Sequence, residues 1–163
     1  MKILNKVVIG MATLVLLTAC GAKKVDYDKF HAAAVEAAKN DSGYTKAVVD
    51  GKATIKKEGK ETTYTFDKIE ITGYTNGRMD LVTLGLKVLS AKTEAEAVAI
   101  GFTSMPAEEV VKSDKFTYYT GPLTVKMVDD EGTETVQYDK NGLTTSIKFS
   151  GDASGSVKIQ WSK

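Results

Sequence analysis

The chain has 163 residues, with 22 Lys and Arg against 21 Asp and Glu, one His and one Cys. A net charge of +1 without a clustered basic run excludes the electrostatic footprint of a nucleic-acid binder, and a single cysteine excludes an internal disulfide. One Trp, seven Tyr, five Phe and abundant Thr favour strands over a helical bundle.

The first segment has the anatomy of a leader. Lys2 and Lys6 make a positive start, Val7 to Leu17 an apolar run, and Thr18-Ala19 a small-residue cleavage site. As a helix, Val7–Leu17 rises about 16 Å at ~1.5 Å per residue. A hydrocarbon core of ~30 Å needs nearly twice that, which argues against a permanent span. By its residues alone the run also fits an ordinary secretory signal with an incidental cysteine, or a buried N-terminal helix.

Leu17-Thr18-Ala19-Cys20-Gly21 resembles the lipobox of bacterial lipoproteins. The resemblance implies that residues 1–19 are cleaved and that Cys20, carrying a diacylglyceryl group, becomes the first mature residue. It also implies an extracytoplasmic, lipid-anchored protein at the cell membrane or outer membrane. Gly21 lacks the aspartate that the family associates with inner-membrane retention, so in a two-membrane envelope outer-membrane sorting is implied. Residues 20–25 then form the lipidated cysteine and a short tether, and residues 26–163 one domain. Gly21 to Val25, fully extended at ~3.3 Å each, reach about 17 Å. Lys23 and Lys24 lie in that tether, within reach of anionic headgroups or simply solvated. Removing residues 1–19 from 163 leaves 144, enough for one core, and losing Lys2 and Lys6 takes the charge from +1 to −1.

Asp26 to Lys39 is expected to be a helix, with Tyr27, Phe30, His31, Ala34, Val35 and Ala38 on one face, Asp26 as its cap and Asn40 to Gly43 as its stop. Tyr44 to Lys57 and Glu61 to Thr72 are expected strands joined by Lys57-Glu58-Gly59-Lys60. Apolar parity changes in the second strand between Tyr64, Phe66 and Ile69, Ile71, which predicts a bulge near Asp67-Lys68. Gly73 to Arg78 breaks the sheet.

From Met79 onward two periods compete. Leu81, Leu84, Val88 and Leu89 fit a helix, whereas Val82, Leu84, Leu86 and Val88 fit a strand; helix is favoured. Thr93-Glu94-Ala95-Glu96 matches a capping box opening a second helix, and Pro106 is expected to open a short one through Val111. Beyond Phe116, apolar alternation at Leu123, Val125, Met127; Val136, Tyr138; Leu143, Ile147, Phe149; and Val157, Ile159, Trp161 predicts a four-stranded antiparallel meander. Its polar face is expected to carry Thr144, Ser146, Lys148, Ser156, Lys158 and Gln160. The expected class is α+β, with an N-terminal helix and a central helical segment packed on an antiparallel sheet ending in that meander. In layout this is similar to the periplasmic lipoprotein-carrier half-barrels, a fold-level analogy that does not license function.

The chemistry of an enzyme is sparse. Cys20 is assigned to lipid, and His31 alone supplies neither a two-histidine zinc site nor a triad. Asp129, Asp130, Glu131 and Glu134 lack the spaced pattern of a calcium loop, and with Asp139 and Asn141 they suit turns. Asn76-Gly77 is a turn dipeptide rather than a phosphate loop. Tyr64, Phe66, Phe116, Tyr118, Tyr119, Tyr138, Phe149 and Trp161 suit a core, or the lining of an apolar groove. The expectation is a non-catalytic, membrane-anchored binding or interaction module, with Cys20 as lipidation site and no cofactor, metal or nucleic acid. Its partners are the membrane through Cys20 and an envelope protein or apolar ligand. The alternative is a carrier of an apolar ligand, such as a lipid, between sheet and helices. A hydrolase using Ser or Thr with a carboxylate is a third and weaker reading.

Overall fold

A computed structural model describes residues 27–112, 117–119, 123–129 and 132–163. Cys20, the tether, Asp26 and Phe116 lie outside the described residues. Helix α1 is Tyr27–Ala38, α2 is Leu81–Ser90 and α3 is Glu94–Thr103, followed by a 3-10 helix at Ala107–Glu109. The strands are β1 (Lys46–Lys57), β2 (Lys60–Thr72), β3 (Thr117–Tyr119), β4 (Thr124–Asp129), β5 (Gly132–Tyr138), β6 (Thr144–Gly151) and β7 (Ala153–Ser162). They form one antiparallel sheet in the order β2-β1-β7-β6-β5-β4-β3. The class is therefore α+β.

Local chemistry explains each boundary. Glu58 and Gly59 both take positive φ in the tight turn between β1 and β2, the left-handed pair that matches strand twist. Val49 faces Ile69, but Gly51 faces Phe66, so Asp67 and Lys68 bulge out with Lys68 at φ +49°. The parity change thereby keeps Tyr64, Phe66 and Ile71 buried on one face. Thr93 caps α3 by accepting the Glu96 N–H at 3.1 Å, while Glu96 Oε2 accepts from Lys92 N at 2.8 Å, one residue earlier than in the reciprocal box.

Several details depart from the expected pattern. The C-terminal strands extend to five with β3, and β7 pairs with β1 from Ala153 to Ser162, so hairpin and meander are one sheet. The helix expected after Pro106 is a single 3-10 turn, because Val110 is already extended; β-branched Val110 and Val111 disfavour continuing it. On α1 the buried line is Phe30, Ala34 and Ala37, and Val35 turns outward. Thr144 is buried rather than on the polar face. The cause is a bulge at Thr145: Gln137 pairs with Ser146 but Tyr138 with Thr144, so the strand changes face.

Two cores sit on the inner face of the sheet. One packs Val49, Phe66, Ile147, Val157 and Ile159 against Val98, Ile100 and Phe102 of α3, with the Phe66 and Phe102 rings 5.6 Å apart. The other packs Phe30 and Ala34 of α1 against Ala107, Tyr119 and Val125. Met127 and Tyr138 border both. Fully burying each large side chain contributes roughly 1.5–3 kcal/mol. Burial pushes the Tyr138 phenol far above its ordinary range, and the carboxylates of Glu134 and Glu108 push it further, so it stays neutral.

One arginine ties three loops together. Arg78 donates from Nε to Glu108 Oε1 at 2.6 Å, and from its two Nη atoms to the carbonyls of Asn76 and Asn141, each at 2.9 Å. This fixes the start of α2 against the 3-10 helix and the Asp139–Gly142 turn.

Candidate interaction surface

Helix α2 is apolar almost all round. Asp80 caps it, accepting from Thr83 N at 2.9 Å and Thr83 Oγ1 at 2.6 Å, and these donors hold its carboxyl below the usual range. Leu84 and Val88, one turn apart, pack against the larger core with Met79. No residue of the helix is buried. At 100° per residue, Val82, Leu86 and Leu89 fall on the arc away from Leu84 and Val88, with Gly85 at its edge, whereas Leu81 falls near Val88 but in the first turn, where it is left uncovered. Leu81, Val82, Leu86 and Leu89 are 83, 73, 63 and 76 % exposed. An added Cβ on Gly85 would touch nothing within 4 Å. Leu81, Val82, Leu86 and Leu89 thus make a solvent-facing apolar strip about 12 Å long at ~1.5 Å per residue.

Such a strip is unlike the scattered surface leucines that need no explanation. Four adjacent side chains this exposed offer on the order of 400–500 Å² of apolar area, within the ~300–600 Å² range where the largest patch of a monomer is often functional. Val111 is a further exposed apolar residue, 71 % accessible, just after the 3-10 helix.

The residues singled out by sequence fall elsewhere. Cys20 lies outside the described residues, as do Asp130, Glu131 and the side chain of Asp129. Glu134 sits half-buried on β5, opposite Phe149 of β6 and Met127 of β4. His31 is half-buried and stacks on Tyr27, with ring centroids 5.4 Å apart. Asp139 and Asn141 build a turn: Asp139 Oδ1 accepts from Asn141 N at 2.8 Å and from Leu143 N at 3.0 Å. Asn76 and Gly77 take positive φ between the bridged Thr75 and Arg78, and Asn76 Oδ1 accepts from Gly43 N. Among the described residues there is no group of three or more potential metal ligands, and no helix is long and apolar enough to cross a membrane.

Of the aromatic set, Tyr64, Phe66 and Tyr119 are buried in the cores, while Tyr138, Phe149 and Trp161 are half-buried against them. Tyr118 is described only in its backbone. Trp161 donates its indole N–H to the Thr144 carbonyl at 2.8 Å and meets Tyr74 edge-on. The Tyr74 hydroxyl pairs with Thr103 Oγ1, whose own hydrogen is directed at the Ala99 and Ile100 carbonyls. Burial pushes Tyr74 up to about 12, the Thr103 bond offsetting part of the rise.

Sequence alone does not separate this strip from the core, because Leu81 and Leu89 share a helical period with Leu84 and Val88, and Val82 and Leu86 share a strand period with them. The signal in the sequence is a run whose apolar residues satisfy both a helical and a strand period, so that the helix is apolar over more of its circumference than one core contact covers. Compared with protein-family models, with curated proteins and with solved structures, the chain finds no match.

Proposed function

We propose that this is a bacterial lipoprotein, anchored by lipid on Cys20, whose folded domain is a non-catalytic interaction module at the cell envelope. The observation that carries the module is the strip on α2: apolar surface that the described part of the domain leaves uncovered. The lipobox-like Leu17-Thr18-Ala19-Cys20 carries the anchor. The same packing weighs against the carrier alternative. Tyr64, Phe66 and Tyr119, three residues that would line its groove, are at most 6 % exposed and occupied by neighbouring side chains.

Intact-mass analysis of the chain, produced with its own N-terminus and extracted in mild detergent, tests both halves. A mature N-terminus at Cys20 bearing a diacylglyceryl mass is expected, with no further lipid retained non-covalently. A free thiol at Cys20, or a chain still starting at Met1, overturns the anchor. A stoichiometric non-covalent lipid that survives detergent exchange overturns the module in favour of the carrier.

A further inference from the structure

We propose that the outer face of the sheet, opposite the helices, is a docking surface for an acidic polysaccharide, a glycan strand bearing carboxylates. The proposal rests on the lipoprotein reading only in placing this face outside the cytoplasm, and it gives the interaction module a partner class.

Strand alternation sends one parity into the two cores and leaves the other to the outer face. On that face a single row of laterally paired residues crosses six strands. It runs Thr65 of β2, Lys52 of β1, Ser156 of β7, Lys148 of β6, Thr135 of β5 and Lys126 of β4. Every second strand thus contributes a lysine, and successive lysines stand two strand widths apart, about 9.6 Å. The adjacent row, Asp50, Lys158, Ser146, Gln137 and Thr124, adds a fourth lysine.

The charges of these rows are not cancelled locally. Lys52, Lys148 and Lys158 are exposed and Lys126 is half-exposed. Among the described residues, none of the four is in an ion pair. The carboxylates on the β2 side of this face are engaged elsewhere, Glu70 with Lys46 at 3.5 Å and Glu61 with Lys56 at 3.7 Å. Four lysines against Asp50 leave +3 on the two rows, whereas the whole chain carries only +1.

Charge complementarity selects a polyanion, and the groups between the lysines select its kind. Those groups are hydroxyls and amides, which donate and accept hydrogen bonds as sugar hydroxyls do. A stable protein interface has an apolar centre, which the two rows lack. A small ligand needs a concave site, whereas a long strand gathers many weak contacts on an open face. A bilayer suits the face poorly, because the tether leads into α1, and α1 packs on the inner side of the sheet.

The test uses the full-length chain, purified in mild detergent and passed over immobilised polygalacturonate, with neutral dextran as reference. Saturable binding is expected at low ionic strength, weakening as salt screens the lysines, with none on dextran. At about threefold per exposed lysine, Lys52→Gln, Lys126→Gln and Lys148→Gln together should weaken binding about 30-fold. Lys60→Gln, Lys92→Gln and Lys140→Gln remove the same charge from exposed positions off this face, and together should change it less than about threefold. Lys148→Glu alone, at an exposed position, should weaken binding about tenfold and serves where the triple variant melts early. Equal losses in the two triple variants overturn the proposal, as does a parent chain that does not bind polygalacturonate. Tighter binding to polyglutamate, lost in the same face variant, overturns it in favour of an acidic protein partner. A Cys20 found unmodified by mass overturns the anchor and leaves this comparison, which does not use the lipid, to decide the face by itself.

Discussion

Gly51 has no room for a side chain, and replacing it measures how tightly β1 and β7 are joined. It takes φ +134°, and a Cβ there would lie 2.2 Å from the Ser156 carbonyl oxygen and 2.9 Å from Val157 Cα. Gly59 provides the control: it also has positive φ, at +72°, but an added Cβ meets nothing within 4 Å. Each alanine substitution incurs backbone strain of roughly 1–2 kcal/mol. Only Gly51→Ala also strikes backbone, which no rotamer change relieves. The strands must part, weakening about two ladder hydrogen bonds at ~1 kcal/mol each and loosening fully buried Val157 by ~1 kcal/mol. Gly51→Ala should therefore lie about 3 kcal/mol below Gly59→Ala. With a urea slope of ~2 kcal/mol/M, the two midpoints should differ by about 1.5 M. Trp161 of β7, hydrogen-bonded to Thr144 and packed on Tyr74, is the fluorescence reporter. Midpoints within ~0.3 M of each other, with unchanged slopes, would refute the close approach of these strands.

The ion pair of Arg78 and Glu108 is 25 and 19 % exposed, and Glu108 Oε2 is already buried without a hydrogen-bond partner among the described residues. Arg78→Met should destabilise the fold by roughly 2–3 kcal/mol, less than a fully buried pair would lose, and adding Glu108→Gln should restore about half; additive losses in urea melts would count against the pairing. Tyr74 rises from its ordinary 10.0 to about 12 on folding, so the unfolded chain deprotonates first and stability falls as pH climbs from 10 toward 12. Tyr74→Phe should flatten that alkaline limb in thermal melts while costing about 1 kcal/mol at neutral pH. The Asp80 carboxyl is depressed below its ordinary 3.8, so its contribution is present above that pH and lost as pH falls through the lower folded value. Amide exchange in α2 should accelerate in that acid window before the core opens, and Asp80→Asn, an uncharged cap, should remove the dependence.

What the sequence made legible was local. The bulge at Asp67-Lys68 follows from strict alternation in one strand, and the cap at Thr93 from four consecutive residues. What it hid was non-local. Thr144 turns inward because of an extra residue, Thr145, that exists only relative to β5, its partner. The union of hairpin and C-terminal strands depends on β1 pairing with β7 across about a hundred residues, which alternation alone does not specify. The strip on α2 was hidden for a different reason. Periodicity tells which residues share a face, and it is silent about which face meets the core when both are apolar.

That ambiguity has an energetic resolution. A ten-residue helix is shorter than the ~12–15 residues an isolated one needs in water. Gly85 lowers its propensity by about 1 kcal/mol relative to alanine, and Val82, Thr83 and Val88 are β-branched. What holds α2 is the Asp80 cap, the Arg78 clamp just before it, and the packing of Leu84 and Val88. Leu81, Val82, Leu86 and Leu89 add nothing to that list. In water their apolar surface is only a liability for association.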